Sequence, residues 1–189
     1  NDGGSMRIDN SSIYALDSDN NKISIQKNAL LIMENSSAVH EIQTHNGSVG
    51  EFQHSTTSKE LFADYGSTLT TDNMSMLKLY IGNNSTAKIQ NSTIDCSAND
   101  DTCVNVERTS SVFFSSSTIT GGANYDAIKI GPTSQVNLYQ STVNSTKSSS
   151  IKVDGPLSYL DVYSSTINGT VSCGNIESHA FKAGTDLCN

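Results

Sequence analysis

Tryptophan is absent from this 189-residue chain, proline and arginine occur twice each, and aromatic residues make up only 6%. No apolar run approaches the roughly 20 residues that a membrane-spanning helix needs, so none is expected here. A basic segment followed by an apolar one, the mark of a secretory signal, is missing from the first residues. A chain that opens on Asn1 instead of Met is expected to be a processed product or an excised fragment. Basic residues are also scarce: the net charge of −8 disfavours nucleic acid and anionic membranes, which reward clustered Lys and Arg. No CxxC pair, nucleophile motif, phosphate-cradling Gly loop or dinucleotide fingerprint occurs, and no cofactor is expected.

With 35% apolar residues and many Ser, Thr and Asn, the composition alone would suit disorder. The placement of Ile, Val and Leu argues otherwise. One phrase recurs: apolar, any, apolar, any, Asn or Ser, Ser, Ser or Thr, apolar. It runs from Met6 to Ile13 and again from Leu160 to Ile167. Anchored on its second apolar residue, it fits at Ile8, Met33, Phe52, Thr71, Ile89, Phe114, Leu138 and Val162, with 18 to 25 residues between anchors. A period of this length marks a solenoid, whose repeats bury their apolar side by stacking on one another.

A second apolar doublet aligns in two columns. One reads Ile23, Ile42, Leu61, Leu79, Val104, Ile128 and Ile151; the other reads Ile25, Thr44, Ala63, Ile81, Val106, Ile130 and Val153. Spacing by two predicts strands with one buried face. Two residues past each anchor lies a bend column of Asn10, Asn35, His54, Asn73, Asn91, Ser116, Gln140 and Ser164. Asn tolerates the left-handed conformation of a sharp corner. Its side chains are expected to hydrogen-bond from coil to coil, as is a Ser/Thr column two residues on, from Ser12 to Thr166. Insertions fall at one corner, in coils one, five, six and seven. Helical repeats lack this two-residue patterning, and an antiparallel sandwich does not explain columns that return with every coil.

The pattern resembles the right-handed parallel β-helix proteins of the pectin-lyase-like superfamily over about residues 5–175. The resemblance implies an all-β fold, a single-stranded right-handed parallel β-helix (solenoid) of about eight coils. Residues 1–175 form the helix. Residues 176–189, with Phe181 and Leu187, are expected to leave the repeat and form a C-terminal cap stapled by Cys173 and Cys188. The other two cysteines, Cys96 and Cys103, form a second local pair. Two short-range disulfides in an oxidising compartment are the simplest account, with free buried thiols as the alternative. The Ser/Thr/Asn-rich coils look most like passenger domains of bacterial autotransporter adhesins. That likeness implies an extracellular or cell-surface, non-catalytic recognition module binding glycan, a host or bacterial surface protein, or a second copy of itself. The chain departs from those adhesins in its few Gly repeats and its cysteine pairs. The alternative is a polysaccharide-processing enzyme: a lyase, a hydrolase or a tailspike-like depolymerase.

Candidate site residues are few. Register turns Phe113, Tyr139 and Tyr163 outward on the anchor strand, and Phe62 and Tyr80 outward on the second strand. They are either a stacking ladder or a recognition strip. Asp95, Asp100 and Asp101 in the coil-five loop offer carboxylates to a hard cation, but without calcium-loop spacing. An acidic, solvated loop is the plainer reading. His40, His45 and His54 occupy adjacent coils on different sides, and no metal site is expected of them. Arg108, beside Glu107, reads as a surface ion-pairing residue, and Lys129 and Lys152 as solvated, with no aspartate column beside them. Asn-x-Ser/Thr triplets such as Asn91-Ser92-Thr93 coincide with the bends, so composition alone accounts for them.

Overall fold

A computed structural model describes residues 3–13, 22–38, 41–99 and 101–188, apart from the side chains of 147 and 148. The described residues contain no helix. They wind into a parallel β-helix of about eight turns, and the register matches the repeat residue for residue. Ile8 pairs with Met33, Met33 with Phe52, Phe52 with Thr71, and so on through Ile89, Phe114 and Leu138 to Val162. These residues each stand fourth in a five-residue strand of the first sheet, whose strands run from Ser5–Asp9 through Thr86–Gln90 and Tyr159–Tyr163 to the C-terminal hairpin. The second sheet carries both doublet columns, with Leu79 between Leu61 and Val104, and Ile81 between Ala63 and Val106. The same columns continue one coil beyond the sequence reading, to Val171 and Cys173.

The inward positions form one continuous core, with Phe52 and Phe114 among its largest fully buried side chains. Three buried threonines, Thr44, Thr57 and Thr71, interrupt this apolar stack. Thr44 Oγ1 donates to Phe62 O at 3.1 Å, Thr57 Oγ1 accepts from Lys59 N at 3.4 Å and Thr71 Oγ1 meets Ser92 Oγ at 3.1 Å, so all three hydroxyls are satisfied.

Every residue of the bend column is left-handed, with φ between 47° and 52°, including the non-Asn members His54, Ser116, Gln140 and Ser164. All eight side chains are exposed. Of the bend asparagines Asn10, Asn35, Asn73 and Asn91, Asn91 makes a coil-to-coil side-chain bond, its Nδ2 donating to Asp72 Oδ1 at 2.7 Å, and the backbone adds further stacking bonds, as from Asn10 N to Glu34 O at 3.1 Å. The left-handed residue turns its own side chain to water and the next one inward. That next position holds Ser36, Ser55, Ser92, Ser117, Ser141 and Ser165, all buried. Their hydroxyls accept backbone N–H bonds from the coil below: Ser92 N to Ser117 Oγ at 3.2 Å, Ser117 N to Ser141 Oγ at 3.2 Å and Ser141 N to Ser165 Oγ at 2.9 Å. Met74 interrupts the column, its own N–H taken by Ser92 Oγ at 3.1 Å. In the outer Ser/Thr column Ser37 Oγ donates to Ser12 Oγ at 3.1 Å.

A second buried serine column, from Ser48 through Ser85 to Ser178, lines the opposite corner. Ser67 N donates to Ser85 Oγ at 3.1 Å and Ser85 N to Ser110 Oγ at 3.2 Å. A tight corner turns some backbone N–H groups away from the sheet ladder, and a short hydroxyl is the smallest group that can meet them inside a coil.

Residues 176–188 do not leave the repeat at once. His179–Lys182 adds a ninth parallel rung to the first sheet, pairing Leu160 with Ala180, and the chain then folds back as Thr185–Asp186 in antiparallel register. Ala180 is buried, while Leu187, Cys188 and Cys173 pack against the end of the core. Phe181 is not part of that cover. It stands in the outward column of Asp161 and lies 5.9 Å from Tyr159, ring centre to ring centre. Both disulfides pair as the spacing suggested, Cys96 with Cys103 and Cys173 with Cys188, which points to an extracellular or otherwise oxidising environment. Among the described residues no helix is long and apolar enough to cross a membrane.

Candidate functional site

Along the outer face of the second sheet the residues between the two doublet columns form a strip. Phe62 pairs with Tyr80, Tyr80 with Asn105, Asn105 with Lys129 and Lys129 with Lys152. At about 4.8 Å per coil these five side chains extend over roughly 19 Å. One end is aromatic. Phe62 and Tyr80 stack with ring centres 4.5 Å apart and planes 7° from parallel, and His45 adds a tilted ring 5.2 Å from Phe62. Gly82 fixes the far side of Tyr80, since a Cβ there would come within 2.6 Å of the Tyr80 ring.

The insertions of coils five and six wall this strip on its bend side. Cys96–Cys103 closes the coil-five loop, and Gly122 of coil six passes beneath it, where a Cβ would lie 3.0 Å from Asn99 O. Asp101 and Thr102 from the first loop and Tyr125 and Asp126 from the second enclose a cleft of about 390 Å³ over Tyr80, Asn105, Lys129 and Lys152. A neighbouring hollow of about 420 Å³ shares Glu60, Lys78 and Asp101 and reaches Glu41.

Charges in the cleft are interleaved. Lys78 Nζ meets Asp101 Oδ2 at 2.6 Å, Lys129 Nζ meets Glu107 Oε1 at 3.8 Å and Lys152 Nζ meets Asp154 Oδ2 at 2.8 Å. Lys129 and Lys152 are thus ion-paired while remaining partly exposed to solvent. Glu107 pairs with Lys129, while Arg108 donates to Asn83 Oδ1 at 3.3 Å. The Lys78 hydrogen bond holds Asp101 below the usual carboxylate range, and Asp154 raises Lys152 by the same kind of contact. Burial raises the Tyr80 phenol. Glu60 stands out: burial, reinforced by Glu41 and opposed by Lys78, pushes it to about 7. The sequence reading missed it. Its only signal was a carboxylate one residue before the inward Leu61, in register with Lys78.

The other candidate positions separate. Tyr139 and Tyr163 stack on the first sheet at 5.3 Å, 4° from parallel, but Phe113 pairs with Asn137 in a different outward column. Asp95 Oδ1 accepts from Ser97 N at 3.0 Å, Asp101 turns into the cleft, and Asp100 lies outside the described residues. His54 occupies a bend, burial lowers the His45 pKa beside Gln43 and Phe62, and His40 is also outside the described residues. Among the described residues no three His, Cys, Asp or Glu side chains converge as metal ligands would. The chain matches no protein-family model, no curated protein and no solved structure.

Proposed function

We propose that this β-helix is a secreted or cell-surface recognition module, without catalysis, that holds a saccharide chain along the outer face of its second sheet. The observation that carries the reading is the stacked Phe62–Tyr80 pair opening onto a walled cleft of alternating charges. Flat aromatic faces pack against the C–H face of a sugar ring, and fixed polar groups beside them orient its hydroxyls. The two disulfides suit life outside the cytosol, and the polar coils suit kinship with the passenger domains of bacterial adhesins. Binding to a glycan array tests the reading. Tyr80→Ala should lower retention at least tenfold, and a Tyr139→Ala/Tyr163→Ala double variant should leave it unchanged. The reverse result would move recognition to the first sheet. Retention of a surface protein or of a second copy, with no glycan held, would replace the ligand.

One observation favours a second reading, a polysaccharide-processing enzyme. A carboxyl with a pKa near 7 is about half protonated at neutral pH, and its protonated form can pass a proton to a leaving oxygen. Release of reducing ends from a bound polysaccharide, abolished in Glu60→Gln, would favour the enzyme. Intact polysaccharide after prolonged incubation would favour binding alone.

A further inference from the structure

Resting on saccharide recognition as proposed, we infer that the cleft takes a neutral, hydroxyl-rich oligosaccharide and discriminates against polyuronates and other acidic chains. Asn105 carries the argument. Its Nδ2 donates to Glu107 Oε1 at 3.0 Å, which fixes the amide, because the opposite orientation would set two acceptors against each other. Its Oδ1 is then a buried acceptor with no hydrogen-bond partner among the described residues. An unsatisfied buried acceptor is a standing cost on the order of 1–3 kcal/mol, and only a donor removes it. A sugar hydroxyl is such a donor. An ionised carboxylate, which can only accept, is not; ring hydroxyls serve on neutral and acidic chains alike, and it is the already paired lysines that disfavour the acidic ones. The acceptor is covered in the free protein, so a ligand reaches it by parting the long side chains beside it, with Lys129 directly in register.

The charges agree. Lys78, Lys129 and Lys152 already have carboxylate partners, so an acidic sugar would have to displace a carboxylate held in the fold. Glu60 and Asp126 add further carboxyl groups to the lining. A neutral hydroxyl can donate to a carboxylate and accept from the lysine beside it without opening the pair.

The probes are mannohexaose and cellohexaose as neutral chains, hexagalacturonate as the acidic one and chitohexaose without acetyl groups as the cationic one. Each is titrated calorimetrically into the intact protein at pH 7, in 50 and 500 mM salt. At least one neutral chain should bind, with an affinity changing less than twofold between the two salts. Asn105→Ala should weaken it tenfold or more, with the melting temperature confirming the fold. Tighter binding of hexagalacturonate or of the amino sugar, falling steeply with salt, would overturn neutral selectivity and leave saccharide recognition standing. An Asn105→Ala variant that is folded and binds normally would overturn the role of the orphaned acceptor. Failure of every probe to bind would sink saccharide recognition and this inference together.

Discussion

Coils three and four cross the second sheet as unbroken strands, Thr56–Ala63 and Ser75–Ile81, whereas coils five and six break between Asp95 and Val104 and between Thr120 and Ile128. The buried frame does not register the difference. Leu61, Leu79, Val104 and Ile128 stay in one column whether or not a loop precedes them. Short coils supply the floor of the cleft and its aromatic end, and long coils supply its wall. Because each coil is held by its neighbours, residues added at one corner change the surface without changing the stack.

The sharpest way to break that separation is to empty the frame in both kinds of coil. Phe52→Ala in coil three and Phe114→Ala in coil six should each cost about 3–5 kcal/mol by denaturant melting. A cost below 1 kcal/mol in one coil alone would mean that the loops brace the frame. The next effect belongs to Glu60, whose pKa is raised from 4.5 to about 7. The folded state then binds more protons at Glu60 than the unfolded chain does between those values, so the Glu60 contribution to stability is fullest below pH 4.5 and is lost as the pH rises through 7. At 1.36 kcal/mol per unit the fall is at most about 3 kcal/mol. Glu60→Gln should flatten it. If replacing the coil-five wall leaves the pH slope intact, that wall is not what buries Glu60.

Removing the coil-five disulfide as Cys96→Ala/Cys103→Ala should cost about 2 kcal/mol through the loop it closes. Hydrogen exchange should quicken in the loops of coils five and six and stay slow at Phe52 and Leu79; quickening at those two positions would join wall and frame. The smallest effect separates inner from outer serines. Ser117→Ala removes the acceptor of Ser92 N and should cost about 1–2 kcal/mol, while Ser75→Ala, on the exposed side, should stay within about 0.5 kcal/mol. Equal costs would deny the inner column its role.

Period and register were legible because burial enforces them: a one-residue slip would turn Ile89 and Phe114 to water. The corner was legible as a conformation, while the buried serines that bond across it were not singled out. Asn marks the left-handed position through its tolerance of it, so Asn73 and Asn91 drew attention from the plainer Ser92 and Ser117 beside them. His54 and Gln140 share the same φ, so the stack imposes the turn on residues with no preference for it. The outer strip was half legible. Phe62, Tyr80, Lys129 and Lys152 fell in one column by counting, and so did Tyr139 beside Tyr163. Which charges meet them depends on where two loops come to rest, and neither Asp101 beside Lys78 nor the burial of Glu60 follows from spacing. Phe113 shows the limit of alternation: it identifies an outward face, not which outward column a ring joins.

The Cys173–Cys188 bridge has a mechanical consequence. A pull applied beyond Cys188 passes through the sulfur atoms to Cys173 and bypasses the ninth rung and its hairpin. The first hydrogen-bonded element to bear the load is then Thr166–Cys173, held in parallel along Thr142–Val153. The last turn of the chain is thereby shielded from tension, and a tether at this end would strain the second sheet, the one that carries the cleft.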